Sequence, residues 1–167
     1  CVLDGGACQV GIESAIVDCT RERPALLRPG QISRAQIEQV LGQPMAAADA
    51  LSPRASGTLA SHYAPAATVL LLEPGDLQHR LQALAVAGAG AASGVGVYSR
   101  VTPGAHPGAG PVGVHKAMPD DAAAVAHELF AVLRELDAAG VSAIWVEAPP
   151  PGPEWDGVRD RLQRAAA

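Results

Sequence analysis

Apolar and polar positions follow a strand-like pattern at the start of this chain. Residues 10–18 alternate in part, and residues 24–28 form a short apolar run that stops at a Pro-Gly pair, which predicts two strands joined by a polar turn. Ser33 and Gln36 then form a capping-box signature ahead of an apolar helical face. We therefore expect two short strands followed by a short helix over residues 33–41.

The pattern disappears over residues 43–67, where prolines and glycines are scattered among Ala and Ser. Such a stretch predicts a linker, and a linker of this length without elements of its own is usually functional or disordered. It contains His62 and Tyr63, which are unusual in a passive spacer. Two interpretations stay open: the pair anchors the linker to a domain surface, or it belongs to a lid over a ligand.

From residue 68 onwards, short apolar strands alternate with helices. The pattern predicts strands at 68–72, 94–98 and 143–147, a weaker strand at 112–115, and helices at 76–87, at 120–139 and after the proline run that begins at residue 149. This β-α-β-(β)-α-β-α order is typical of a parallel sheet covered by helices. The fold class is therefore α/β.

Composition narrows the functional classes. The chain has 167 residues, a net charge of −5, 49% hydrophobic residues and 3% aromatic residues, which indicates an aliphatic globular core. An acidic chain with few aromatics is poorly suited to neutralise phosphates and stack on bases, so direct nucleic-acid binding is disfavoured. The longest uncharged run, residues 81–99, is mostly Ala and Gly with polar interruptions, and we expect no membrane span.

The cysteines and histidines do not form a metal-binding pattern. Cys1, Cys8 and Cys19 lack C-x-x-C spacing, and the histidines are scattered, so we predict no metal ligands and a reduced, cytoplasmic protein. Because the chain begins with Cys1 rather than Met, we also expect it to be cut from a longer polypeptide.

Two residues near the first strands are candidates for ligand binding. Arg28 leaves an apolar strand at a Pro-Gly turn, and its planar guanidinium suits a phosphate or carboxylate, although it equally suits a structural ion pair with Asp18 or Glu13. The Ser14 hydroxyl is able to orient a polar ligand, but a serine on a strand is often only tolerated on a solvent face. Spacing alone does not decide between these alternatives.

Several segments taken together resemble a known family. They are D-G-G at 4–6 followed by Cys8, V-G-I-E-S-A-I-V-D at 10–18, L-L-R-P-G at 26–30, H-Y-A-P at 62–65 and, more weakly, L-R-E-L-D at 133–137 and D-R-L at 160–162. They resemble the two-domain Sua5 type of the Sua5/YrdC family of threonylcarbamoyl-AMP synthases. The resemblance implies the C-terminal part of a YrdC-like catalytic domain at 1–42, an interdomain linker at 43–67, and a Rossmann-like, three-layer Sua5 accessory domain with a mainly parallel sheet at 68–167.

The resemblance also implies an activity and a set of binding residues. The family combines L-threonine, bicarbonate and ATP into threonylcarbamoyl-AMP and pyrophosphate, and the product passes to the transferase machinery that makes the t6A37 modification in tRNA. By this likeness Ser14 would contact threonine, Arg28 would contact the ATP phosphates, and Tyr63 with His62 would fold over the nucleotide. Mg²⁺ is expected to accompany ATP. The likeness assigns no covalent catalytic residue to this chain.

The chain departs from the family pattern in ways that limit this inference. Ala15 stands where the family writes Thr, residues 55–58 read A-S-G-T rather than S-P-G-M, and the family's N-terminal half with its basic K-x-R motif has no counterpart. We therefore expect little or no synthase activity from this chain alone. One alternative is a non-catalytic module that binds RNA or a partner of the tRNA-modification machinery, with direct tRNA contact left open. Another is a structural domain carrying a poorly ordered relic of the catalytic domain.

Overall fold

The computed structural model describes residues 1–6, 8–57, 64–87, 94–100 and 113–167. The elements of this described part, in chain order, are β1 Ile16–Asp18, β2 Ala25–Arg28, α1 Arg34–Leu41, β3 Ala46–Ala47, β4 Thr68–Leu72, α2 Pro74–Ala87, β5 Val95–Ser99, β6 Val114–Ala117, α3 Ala122–Ala138, β7 Ala143–Glu147, a 3₁₀ turn Pro153–Trp155, and α4 Asp156–Ala165. They form two sheets, a small one of β1-β2-β3 and a larger one of β4-β7-β5-β6.

The first helix begins where the sequence predicts it. The Ser33 hydroxyl accepts a hydrogen bond from the Gln36 amide at 3.3 Å, and the Gln36 side-chain oxygen accepts one from the Ser33 amide at 2.8 Å. This capping box satisfies two amide groups that the first helical turn leaves without partners. Gly42 ends the helix in the left-handed conformation with φ of 67°.

The small sheet extends into the predicted linker. β1 and β2 are antiparallel, and the two-residue β3 pairs with β2 in parallel, with Ala46 opposite Ala25. The Ala46 amide also donates to the Pro24 carbonyl oxygen at 2.8 Å. The expectation that residues 43–67 carry no element is therefore wrong at this point, because a pair of alanines is too short to leave a periodic signal.

The predicted strand at 10–18 forms only over its last three residues. Gly11 has φ of +81°, and a Cβ added to it would stand 2.5 Å from the His127 carbonyl oxygen. The His127 ring nitrogen Nδ1 also lies 2.9 Å from the carbonyl oxygen of Gln9. The chain before β1 is thus a loop that lies directly on the backbone of α3, and such contact with a helix excludes strand pairing.

The larger sheet is parallel and covered by helices, as the alternating pattern predicts, and it forms the middle of the three layers that the resemblance implies. All its pairings are parallel, with Thr68 opposite Ala143 and Gly96 opposite both Ile144 and Val114. Side chains of β7 alternate between the two faces: Ile144 and Val146 belong to the apolar cluster of α3 and α4, and Trp145 belongs to the cluster of α2.

α3 supplies the largest share of the core. Its fully buried Val125, Leu129 and Leu136 form one stripe against the sheet, and Val158 and Leu162 of α4 pack beside them. Each fully buried aliphatic side chain of this kind contributes about 1.5–3 kcal/mol. No helix among the described residues is long and apolar enough to cross a membrane.

Candidate functional site

The structure brings Ser14 and Arg28 together. Arg28 ends β2, and its Nε and Nη2 donate to the main-chain oxygen of Ser14 at 3.2 and 3.0 Å. Its Nη1 donates to the main-chain oxygen of Ser56 at 2.8 Å, and only 5% of the residue is exposed. Arg28 therefore fastens the loop before β1 and the linker to the end of β2.

The described contacts of Arg28 differ from the ion pairs considered for it. Its hydrogen bonds reach main-chain oxygens rather than the carboxylates of Asp18 or Glu13. Asp18 instead accepts from the hydroxyl of Thr20 at 2.7 Å and lies 3.5 Å from the guanidinium of Arg21. Because only 5% of Arg28 is exposed, its contact with nucleotide phosphates stays a prediction, and it needs the remaining N–H groups to be reachable from the ligand side.

Arg161 is a site residue that the sequence reasoning missed. It is fully buried in α4, and its Nε donates to Glu13 Oε2 at 2.9 Å. Its Nη2 donates to the main-chain oxygen of Glu13 at 3.2 Å, and its Nη1 to that of Pro29 at 3.0 Å. The D-R-L run at 160–162 was visible as a family likeness, but Glu13 and Arg161 are 148 residues apart, and a single sequence carries no signal for such a pair.

A charged network, called here the arginine cluster, consists of Glu13, Arg28, Asp160, Arg161 and Arg164. Asp160 accepts from Arg161 Nη1 at 2.7 Å and from Arg164 Nε and Nη2 at 3.0 and 2.8 Å. The cluster thus holds three cations against two carboxylates. The cluster therefore carries a net positive charge, most of it on buried guanidinium groups.

The pKa values of the cluster reflect this balance. Burial alone would raise the pKa of Glu13, but the hydrogen bond and charge of Arg161 outweigh it and hold that pKa below its usual range. Burial lowers the pKa of Arg28, and the positive charge of Arg161 lowers it further. The charge of Arg161 thus disfavours the charged form of Arg28, and an anion near Arg28 would offset this effect.

Two adjoining clefts lie on either side of the loop before β1. Ser14 is exposed at a cleft of about 550 Å³ whose lining is mostly apolar, and this lining comprises Cys8, Val10, Ile12, Glu13, Ser14, Ala15, Val17, Gln31, Ile32 and Ile37. The second cleft, of about 670 Å³, lies between this loop, residues 64–66 and the α3 side chains Phe130, Leu133, Arg134 and Asp137. Glu13 lines both clefts and is the member of the arginine cluster that reaches them.

The end of the linker lies in the second cleft. The Ala67 amide donates to the Asp137 carboxylate at 2.8 Å, which fixes the chain where it enters β4. His62 and Tyr63, the other predicted nucleotide contacts, fall in the part of the chain outside the described residues. The residues that follow them, 64–66, line the cleft next to Glu13.

The donor side chains of the described residues do not make a dedicated metal site. Over the described ranges, no group of three or more His, Cys, Asp or Glu side chains is arranged to hold a metal ion. The carboxylates of Glu13 and Asp160, which lie in the cluster, are hydrogen-bonded to Arg161 and Arg164. These two carboxylates therefore do not fit a Mg²⁺ ion.

Comparison with known proteins decides the family. The family model described as the threonylcarbamoyl-AMP synthase C-terminal domain matches residues 32–167. The chain belongs to this family. The family assignment agrees with the resemblance stated from the motifs, and it rests on the larger sheet together with α1.

Individual relatives extend the match to the remaining residues. A threonylcarbamoyl-AMP synthase of Pyrococcus abyssi is 31% identical over 99% of this chain and 49% of its own length. A threonylcarbamoyl-AMP synthase of Bacillus subtilis is 39% identical over 48% of this chain and 25% of its own length. The crystal structure of P. abyssi Sua5 complexed with L-threonine superposes with a TM-score of 0.77 at 27% identity, covering 98% of this chain and 48% of that one. The chain thus spans about half the length of the P. abyssi relative.

Proposed function

We propose that the natural polypeptide containing this chain is an L-threonylcarbamoyladenylate synthase, which joins L-threonine, bicarbonate and ATP into threonylcarbamoyl-AMP and pyrophosphate. The observation that carries the proposal is the attachment of Arg28 to the Ser14 backbone at the rim of a cleft, within a chain that matches a synthase over 99% of its residues. This chain would supply one wall of the site.

In this proposal Ser14 contacts threonine and the arginine cluster favours the anionic groups of the substrates. Ser14 is exposed at the 550 Å³ cleft, whose apolar lining suits a small side chain such as that of threonine. Support for the threonine assignment comes from the P. abyssi structure, which is a complex with L-threonine. Arg28 is assigned to the ATP phosphates, and Tyr63 with His62 to a cover over the nucleotide.

The proposed chemistry requires positioning more than covalent catalysis. The threonine amine and bicarbonate give a carbamate and water, and a carbamate oxygen attacks the α-phosphorus of ATP as the bond to pyrophosphate breaks. Such a transfer is promoted by holding the reactants in line and by placing positive charge beside the phosphates. A linker that excludes water would protect the carbamate and the mixed anhydride from hydrolysis. Mg²⁺ is proposed to enter with ATP, bound through phosphate oxygens.

Kinetics of the natural polypeptide test the proposal. We expect pyrophosphate release that needs both threonine and bicarbonate. The KM for threonine should be about tenfold higher in Ser14→Ala, and kcat/KM for ATP should be at least tenfold lower in Arg28→Lys. A tenfold change corresponds to about 1.4 kcal/mol. Arg23→Lys is the matched control, since Arg23 is exposed and donates only to the Pro44 carbonyl oxygen among its described contacts. Pyrophosphate release that ignores threonine would contradict the proposal.

The product would pass to the transferase machinery that builds t6A37 in tRNA, and we propose that the protein works in the cytoplasm beside that machinery. The alternative is a non-catalytic module that binds RNA or a partner of this machinery. A net charge of −5 gives it little electrostatic support. Salt-sensitive tRNA binding without synthase activity would favour that alternative.

A further inference from the structure

We propose that α4 of the accessory domain sets the geometry of the candidate site, with Arg161 as its positioning residue. This inference rests on the proposed function for its kinetic consequences, although its structural part stands on contacts alone. It assigns to the C-terminal helix the task of holding the threonine side and the nucleotide side of the site at a fixed separation.

Arg161 contacts the immediate neighbours of both candidate binding residues. Its Nη2 donates to the main-chain oxygen of Glu13, the residue before Ser14, and its Nη1 donates to that of Pro29, the residue after Arg28. One rigid guanidinium therefore links the loop that carries the threonine contact to the strand end that carries the phosphate contact. A displacement of α4 moves both.

Burial restricts the side chains that position 161 can accept. Arg161 is fully buried, and a buried guanidinium is costly unless its N–H groups find acceptors. The Glu13 carboxylate at 2.9 Å and the Asp160 carboxylate at 2.7 Å compensate the charge of the Arg161 guanidinium. The two main-chain oxygens fix its orientation. Lysine carries the same charge but offers one ammonium group instead of a planar fork, and it cannot reach all four acceptors in this geometry.

A second and independent contact fixes the same helix. Gly157 lies one turn before Arg161, and a Cβ added to it would stand 2.8 Å from the Gly30 carbonyl oxygen and 2.8 Å from Ile12 Cδ1. The absence of a side chain at Gly157 therefore lets α4 approach the turn after Arg28. Close packing and directed hydrogen bonds constrain one interface, so the helix has little freedom to shift.

The experiment compares Arg161→Lys with Arg159→Lys in the natural polypeptide that contains this chain. Arg159 is the matched control because it lies on the same helix but bonds within its own end of the chain, to Asp156 and to the Pro150 carbonyl oxygen, both at 2.7 Å. Hydrogen exchange is measured in peptides spanning residues 10–18 and 26–33, and KM and kcat are measured for threonine and ATP.

The expected result is selective. In Arg161→Lys, exchange in both peptides quickens at least tenfold, and the KM values for threonine and ATP rise at least fivefold while kcat stays within threefold. Arg159→Lys changes neither the exchange nor the KM values. A general loss of stability would instead quicken exchange throughout the sheet and leave both KM values of the folded fraction unchanged, and that outcome overturns the proposal.

A second variant covers the case in which Arg161→Lys does not fold. Gly157→Ala keeps Arg161 but pushes α4 away from the Gly30 carbonyl oxygen, so quickened exchange confined to residues 10–18 and 26–33 supports the proposal and unchanged exchange overturns it. If the wild-type polypeptide has no synthase activity, the proposed function fails while the exchange experiment still decides the role of Arg161.

Discussion

The main chain of Gly30 lies directly against that of Ser14: a Cβ atom added to Gly30 would stand 2.6 Å from the carbonyl carbon of Ser14. We therefore expect Gly30→Ala to force the loop before β1 away from β2 and to lower the free energy of unfolding by about 1–3 kcal/mol, which is the usual range for overpacking. Urea denaturation followed by tryptophan fluorescence measures this change.

Gly75→Ala is the control for Gly30→Ala. Gly75 lies in the first turn of α2, and nothing stands within 4 Å of a Cβ added there. The unfolding free energy of Gly75→Ala should not fall, and it rises by up to about 1 kcal/mol because alanine loses less backbone entropy than glycine in a helix. Equal stability of the two variants would show that the loop at Ser14 yields freely, contrary to the close contact described.

A second prediction concerns the hydrogen bond between Tyr98 and Glu128 in the core of the larger sheet. Tyr98 is fully buried in β5, and its hydroxyl donates to Glu128 Oε1 at 2.8 Å. Tyr98→Phe should cost about 1.5 kcal/mol, since hydrogen bonds to charged groups lie at the strong end of the range. Denaturant unfolding of Tyr98→Phe, Glu128→Ala and the double variant measures the coupling energy between the two side chains. Fully additive losses of unfolding free energy would contradict the hydrogen bond.

Contacts between residues close together in the sequence were predictable from it, and contacts between residues far apart in the sequence were not. Ser33 and Gln36 are three positions apart, and their capping box follows from local chemistry, as does the parallel sheet from the alternation of short apolar runs with helices. Arg161 and Glu13 come from opposite ends of the chain, so their contact depends on the packing of whole elements. The pattern predicts a strand before β1 because the apolar residues of this loop line a cleft, and burial on one face produces the same alternation in a loop as in a strand.

Acid sensitivity provides a third prediction, at the edge of the small sheet. The hydrogen bond from Arg21, at 2.8 Å, lowers the pKa of Asp49 to about 2. Because the folded-state pKa lies below the unfolded value, this pair stabilises the fold above about pH 4 and the contribution is lost as the pH falls towards 2. Urea unfolding between pH 2 and 5 measures how the free energy of unfolding changes with pH.

Two variants check the assignment to this pair. Asp49→Asn should flatten the pH dependence in this window, and Arg21→Gln should flatten it at least as much, because Arg21 also lowers the pKa of Asp18. A slope that persists in Asp49→Asn would mean that other carboxylates carry the acid sensitivity.

The last prediction concerns the 167-residue chain by itself. It supplies Ser14, Arg28 and the arginine cluster, whereas the proposed reaction needs ATP, threonine and bicarbonate to be held together, and the matched P. abyssi synthase is about twice as long. We therefore expect the chain to fold but to release pyrophosphate at less than about one hundredth of the rate of that relative, because losing most positioning contacts removes several kcal/mol from transition-state binding. Both tryptophans, Trp145 and Trp155, are buried, so a blue-shifted emission verifies folding in the same sample. Turnover close to that of the relative would show that the residues present here suffice for catalysis.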